Sequence, residues 1–284
     1  MFGTARGQTS AAAGSLRGKT ALVTGSTDGL GREVARRLGA LGATVIVHGR
    51  NRERGAEVVD AIKAAGGQAV FYRADLASLD EIEALVATIK ENHDSLSLLI
   101  NNAGIWTDGS NERRTSADGH ELVFAVNYLA PYVLSYELMS LLENGAPSRI
   151  VNVSSIAQQP IDFDDVMLTQ GFNPSRAYAQ SKLAIVMLTL DLAAELPADE
   201  ITANALHPAT LMDTAMVEKA GMPARATVDD GADAVMQLAL SPELAGKTGL
   251  YYNEMNEARA NAQAYDAEAR ARLRALSKEL TGVG

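Results

Sequence analysis

The sequence predicts a single α/β domain, doubly wound around a parallel sheet, and three observations predict it. A strand-like run near the amino end leads through a glycine turn into a helix. Further short apolar runs of buried parallel-strand type follow it. The residues with chemistry on them sit at the carboxyl ends of those runs, where an open parallel sheet gathers its ligands. Size and content agree, since 284 residues that are 47% hydrophobic and 21% charged suffice for one large core.

The first run, Lys19-Thr20-Ala21-Leu22-Val23-Thr24, passes into Gly25-Ser26-Thr27-Asp28-Gly29-Leu30-Gly31, and helical periodicity holds from Glu33 to Leu41. Gly25 permits the tight turn, Gly29 lets main chain approach a pyrophosphate, and Gly31 lets the helix pack closely on the sheet. The helix N-terminus then faces the phosphates, so residues 25–31 form the candidate cofactor loop. The second run, Ala43 to His48, ends in Gly49-Arg50-Asn51, where an adenosine ribose should lie. An acid there would select NAD, whereas Arg50 suits a 2′-phosphate, and no carboxylate follows until Glu53. The expected cofactor is therefore NADP(H), with Arg50 and Asn51 at its ribose end. Leu96 to Ile100 runs into Asn101-Asn102-Ala103-Gly104, small enough for backbone to pass close to a cofactor. Arg149 to Ser155 ends in two serines, and Ile201 to His207 ends at Pro208-Ala209-Thr210.

Tyr178 and Lys182 lie four residues apart in Tyr178-Ala179-Gln180-Ser181-Lys182, which on a helix puts phenol and ammonium on one face. Unit charges about 4 Å apart interact by roughly 4 kcal/mol at an effective dielectric near 20. A phenol, ordinarily near pKa 10, would be drawn toward neutrality and made a working acid. An isolated pair of this spacing is commonly just an exposed helix face; its company decides otherwise here.

In order along the chain, these segments resemble the short-chain dehydrogenase/reductase family: the Thr24 to Gly31 turn, Asp75-Leu76, Asn101 to Gly104, Asn127, Ser154-Ser155, Tyr178 to Lys182, and Asn204 to Pro208. The resemblance spans roughly Lys19 to Tyr252. It implies a Rossmann-type domain with a seven-stranded parallel sheet, and hydride transfer between a nicotinamide and a carbonyl or alcohol. Asp75, with Leu76, then matches the adenine contact; Asn102, Ala103 and Gly104 line the nucleotide; Pro208 and Thr210 fall on the nicotinamide side. Tyr178 is the acid, Lys182 lowers its pKa and hydrogen-bonds the nicotinamide ribose, Ser155 donates to the substrate oxygen, and Asn127 holds a water in a proton relay. Strand alternation lets only one of Ser154 and Ser155 point into the site, and the resemblance selects Ser155. Two departures stand out. The gap from Ser155 to Tyr178 is longer than the family's usual one, as in the branch that includes retinol dehydrogenases, and it reads equally as a solvated acidic loop or a substrate lid. Ala209 stands where the family usually has glycine. Trp106 and the Leu211, Met212 and Met216 side chains either face the substrate or pack.

The chain has no cysteine, so disulfides, thiolate chemistry and cysteine-based metal sites are excluded, and His48, His93, His120 and His207 show no metal-ligand spacing. They read as surface or packing residues. A formal charge of −10 argues against nucleic-acid or anionic-membrane partners, and no apolar run reaches the roughly 20 residues of a membrane span. A soluble, cytoplasmic enzyme acting on a small carbonyl or alcohol is expected, as a homo-oligomer (dimer or tetramer) or a monomer. Residues 1–18 read as a flexible tail, 19–258 as the domain, and 259–284 as a helical extension with Leu273, Leu276 and Leu280 along one edge. A sugar-nucleotide epimerase or dehydratase should show a different glycine spacing, and a catalytically silent regulator should lack one of Asn127, Ser155, Tyr178 or Lys182.

Overall fold

The computed structural model describes residues 14–107 and 111–284, so most of the expected tail lies outside the described residues. Eight strands alternate with helices: β1 (Thr20–Val23), α1 (Gly29–Ala40), β2 (Thr44–Gly49), α2 (Arg52–Ala64), β3 (Gln68–Arg73), α3 (Leu79–Asn92) and β4 (Leu98–Asn101). A broken helix follows, made of α4 (Leu122–Phe124), a π-helical turn (Ala125–Leu129), α5 (Ala130–Glu137) and α6 (Met139–Asn144). Then come β5 (Ser148–Val153), α7 (Pro174–Glu195), β6 (Ile201–His207), α8 (Ala215–Lys219), α9 (Val228–Leu240), β7 (Tyr251–Asn253), β8 (Asn256–Ala258) and α10 (Ala267–Thr281).

The strands lie in the order β3-β2-β1-β4-β5-β6-β7-β8. Neighbours from β3 through β7 pair in parallel. The resemblance implies seven parallel strands; the short β8 adds an eighth, antiparallel to β7, through a hairpin with Glu254 at a φ of 56°. Side chains of the central strands have a covered face to enter on either side, because helices lie on both sides of the sheet. Leu22, Ile46, Leu99 and Ile150 pack into one core with Leu85 of α3, Leu134 of α5 and Leu188 of α7. Their strand neighbours Ala21, Val45, Ile100 and Val151 pack into the other with Val34 of α1, Val58 of α2 and Val235 of α9.

The strand order reverses between β1 and β4, and there the crevice for a ligand opens. The turns after these strands are tied together: the Thr24 hydroxyl accepts from the main-chain N–H of Asn102 and of Ala103, each at 3.0 Å, and Asn102 Nδ2 donates to the Thr24 carbonyl at 2.8 Å. A Cβ at Gly31 would meet Asn102 Nδ2 and the Gly25 carbonyl oxygen, so only glycine allows α1 to start this close to both turns.

The segment 156–173 is packed, and the lid reading fails for most of it. Ile161, Val166 and Leu168 are buried between its acidic residues. Gln180 Nε2 donates to the Val166 carbonyl at 2.7 Å, Arg113 Nε donates to the Met167 carbonyl at 2.7 Å, and Arg176 pairs with Asp162 at 3.1 Å. Only Ile156 and Ala157 from this stretch reach the crevice. At the carboxyl end α10 lies along α7 with Leu273 buried, and Asp191 of α7 pairs with Arg270 at 2.9 Å and Arg274 at 2.7 Å. Among the described residues no helix is long and apolar enough to cross a membrane.

Candidate active site

One cleft of about 910 Å³ runs along the carboxyl ends of the parallel strands. At one end it is lined by Gly25, Thr27, Asp28, Gly29, Leu30 and Gly31, with Arg50, Asp75 and Leu76 beyond them. At the other it reaches Ser155, Tyr178, Lys182, Pro208 and Thr210, with Asn102, Ala103 and Gly104 between. Of the expected cofactor residues, Ser26 lies elsewhere: it is buried, and its hydroxyl donates to the Val23 carbonyl at 2.7 Å and accepts from His48 N at 3.0 Å. Ser26 shapes the turn from below. Asn51 caps α2 by accepting from Arg54 N at 2.9 Å, and lines a smaller adjoining recess with Thr27, Arg50 and Arg54.

This cleft fits a dinucleotide. The first turn of α1 lines it, and the first N–H groups of a helix have no partner within the helix and suit a pyrophosphate. Asp28 also caps that turn, its carboxylate accepting from Gly29 N at 2.8 Å while pairing with Arg54 at 3.0 Å. Arg50 reaches Asp75 at 3.5 Å. Two guanidinium groups, one from the loop and one from the first turn of α2, therefore stand at the recess. Sequence reasoning named Arg50 and missed Arg54, although its place one turn past the capping Asn51 was a usable signal.

The polar side chains at the other end are placed by three different elements. Tyr178 and Lys182 share α7, with Lys182 Nζ 5.6 Å from the phenol centroid. The ammonium is buried and donates to the Val153 carbonyl, the last residue of β5, at 2.9 Å. Ser155 follows β5, and its hydroxyl acts on the Tyr178 phenol in the direction that lowers its pKa. Ser154 turns the other way and donates to the Lys182 carbonyl at 2.6 Å. Asn127 sits in the π-helical turn, a distortion that recurs at functional sites. Its Oδ1 accepts from Ile105 N at 2.8 Å, and its Nδ2 donates to the Ile105 carbonyl and the Ser181 hydroxyl, each at 3.0 Å. Gly104 fills the space between: a Cβ there would stand 3.2 Å from Lys182 Nζ and 3.5 Å from Asn127 Oδ1.

The electrostatics correct one expectation. Burial pushes the Tyr178 phenol above its ordinary pKa, opposed by the Ser155 hydroxyl. The ammonium, committed to Val153, does not draw it down. Burial instead lowers Lys182 to about 8. His48 and His207 take the packing reading: both are buried, and both also border the site. Burial lowers His207 to about 4, with the nearby Lys182 charge acting in the same direction, and its ring nitrogen meets the Thr210 hydroxyl at 3.0 Å. His48 Nδ1 accepts from Gly25 N at 3.2 Å and so holds the glycine turn. Ala209 tolerates its methyl, because the left-handed backbone falls at Leu211, with φ 50°.

Residues 19–225 match the model of the short chain dehydrogenase family. The chain is 33% identical to retinol dehydrogenase 14 of Mus musculus, over 95% of this chain and 88% of that protein. It is 35% identical to the polyprenol dehydrogenase of the same species, over 94% and 85%. Its fold matches the landomycin C-6 ketoreductase LanV, solved with bound NADP and rabelomycin, with a TM-score of 0.66, 31% identity, and 85% of this chain and 96% of that one covered. Glycine turn, strand order and the serine, tyrosine and lysine side chains gathered at one end of the cleft agree with these likenesses: the chain belongs to the short-chain dehydrogenase/reductase family, in its retinol-dehydrogenase-like branch, and is an oxidoreductase that uses a nicotinamide dinucleotide.

Proposed function

We propose that the protein is an NADP(H)-dependent enzyme that interconverts a ketone or aldehyde with its alcohol, Tyr178 moving the proton. The observation that carries this reading is the continuity of one cleft from the glycine turn and Arg50 to Ser155, Tyr178 and Lys182. When bound, the dinucleotide supplies or accepts the hydride. Ser155 and Tyr178 present two hydroxyls at one point, so an oxygen accepting from both is polarised as charge develops on it. The burial that raises the phenol pKa keeps it protonated at neutral pH, the form a reduction needs. Asn127 fixes the chain after Gly104 against α7 through Ile105 and Ser181.

Arg50 and Arg54 support the choice of NADP(H), since their exposed guanidinium groups can exchange Asp75 and Asp28 for a 2′-phosphate. A charged hydrogen bond is worth about 1.5–3 kcal/mol. Arg50→Asp is accordingly expected to lower the NADPH-to-NADH ratio of kcat/KM by about tenfold or more. Arg54→Gln should lower it less. Steady-state kinetics with both cofactors checks this, and an unchanged ratio in the Arg50 variant would remove that residue from the site.

Relatives named for retinol and polyprenol, and the apolar outer wall of Trp106, Ile156, Leu211 and Met216, favour an extended apolar substrate. The test is NADPH oxidation against carbonyls graded in size and polarity, from a short polar aldehyde to all-trans-retinal, with the Tyr178→Phe protein as the blank. The apolar members should be reduced fastest. Absence of carbonyl-dependent oxidation above the blank across the panel counts against the reading.

A further inference from the structure

Trp106, the only tryptophan in the chain, lies just past the Asn102-Ala103-Gly104 turn. Its indole stacks on the Tyr178 ring, with centroids 5.2 Å apart and planes 20° from parallel. Stacking at that separation is attractive and directional, so each ring restricts the other. Tyr178 also packs in an apolar cluster with Ile105, Leu168 and Phe172, the last two from the long segment before α7. Apolar neighbours from two loops thus hold the ring, and its hydroxyl is left to Ser155.

We propose that Trp106 is a positioning residue for Tyr178, its indole holding the phenol ring with the hydroxyl toward Ser155 and keeping water off the stacked face. The proposal rests on the reading of Tyr178 as the proton-transferring group. The indole carries no charge, so it acts on the phenol through solvation and orientation alone. The titratable neighbours stay in place when it is replaced: Lys182 on the same helix, His207 beside Lys182 at the end of β6, and Tyr251 of β7, whose hydroxyl donates to the Ser155 carbonyl at 3.0 Å. Water admitted to the uncovered face stabilises the phenolate. The phenol of a variant without the ring should therefore ionise at lower pH.

The test follows Tyr178 directly, by NMR of the full chain labelled with [ζ-¹³C]tyrosine, the resonance being assigned by its loss in Tyr178→Phe. Trp106→Ala is expected to lower the midpoint of its pH titration by about one pH unit. Trp106→Gln, which keeps bulk but not the ring, should lower it as well and decides the matter if the alanine variant does not fold. Trp106→Phe restores a stacking ring and should return the midpoint to the wild-type value. An unshifted midpoint in the alanine or glutamine variant overturns the proposal, as does a phenylalanine variant that fails to restore it. Wild-type turnover by Tyr178→Phe is a separate outcome, and it would remove the proposed function instead.

Discussion

Tyr178→Phe is expected to lower kcat for carbonyl reduction by about 10³-fold, within the range that general acid catalysis supplies, while NADPH affinity stays within about threefold. The substitution removes one hydroxyl and keeps the ring that stacks on Trp106 and packs with Ile105, Leu168 and Phe172. Ser155 keeps its contact with Ala157 N at 3.1 Å, so the end of β5 has no cause to move. Loss of turnover then reports on the proton. The sign of the pH dependence follows from the raised phenol pKa: reduction needs the protonated phenol and should hold through neutrality, falling only on the alkaline side, whereas alcohol oxidation should rise there. Single-turnover NADPH oxidation with fluorescence titration of the cofactor separates chemistry from binding. A variant with wild-type turnover and the same alkaline limb would show that some other group carries the proton.

Much of this arrangement is legible in the residues because backbone requirements announce themselves. The glycines of the first turn are there since a side chain at Gly31 would strike the Gly25 carbonyl, and β1, β2 and β4 carry unbroken apolar runs because both faces of the sheet are covered there. Strand β3 is less legible, although Ala69-Val70-Phe71-Tyr72 carries the β-branched and aromatic residues of a strand, because it lies at the sheet edge and exposes part of that run. Segment 156–173 misled through its aspartates, which hide the buried Ile161, Val166 and Leu168 among them. The tyrosine and lysine spacing misled for a different reason. It places two Cα atoms on one helical face, but the long lysine side chain goes where a tertiary acceptor stands, and the Val153 carbonyl belongs to β5. The π-helical turn around Asn127 leaves no mark in the sequence, because an extra residue in a helical turn changes no pattern a short apolar stretch can show.

Lys182→Met is expected to separate activity from stability. Lys182 is 4% exposed, and burial lowers its pKa from 10.5 to about 8. Between those values the unfolded chain binds the proton that the folded chain has shed, so unfolding free energy rises with pH across that window, by of order 3 kcal/mol at its upper end. Below pH 8 both states are charged, and the cost of burying the charge is present in full. Methionine has similar length and no charge, so the variant escapes that cost and gives up only the hydrogen bond to Val153, worth about 1.5–3 kcal/mol. The two effects nearly cancel at pH 7, and the variant should match wild type there to within about 1 kcal/mol. Urea unfolding at pH 7, 8.5 and 10 should show wild type pulling ahead as pH rises, while a constant difference would mean that Lys182 does not titrate in that window. Turnover should fall by about 10²-fold or more at pH 7, where the ammonium stands charged beside Gly104, His207 and the Tyr178 ring, and the deficit should narrow above pH 8 as wild type sheds that proton. A variant equally stable and equally active would leave the buried charge without a use, and for a lysine held in the sheet crevice at this energetic cost that is the outcome the structure argues against most strongly.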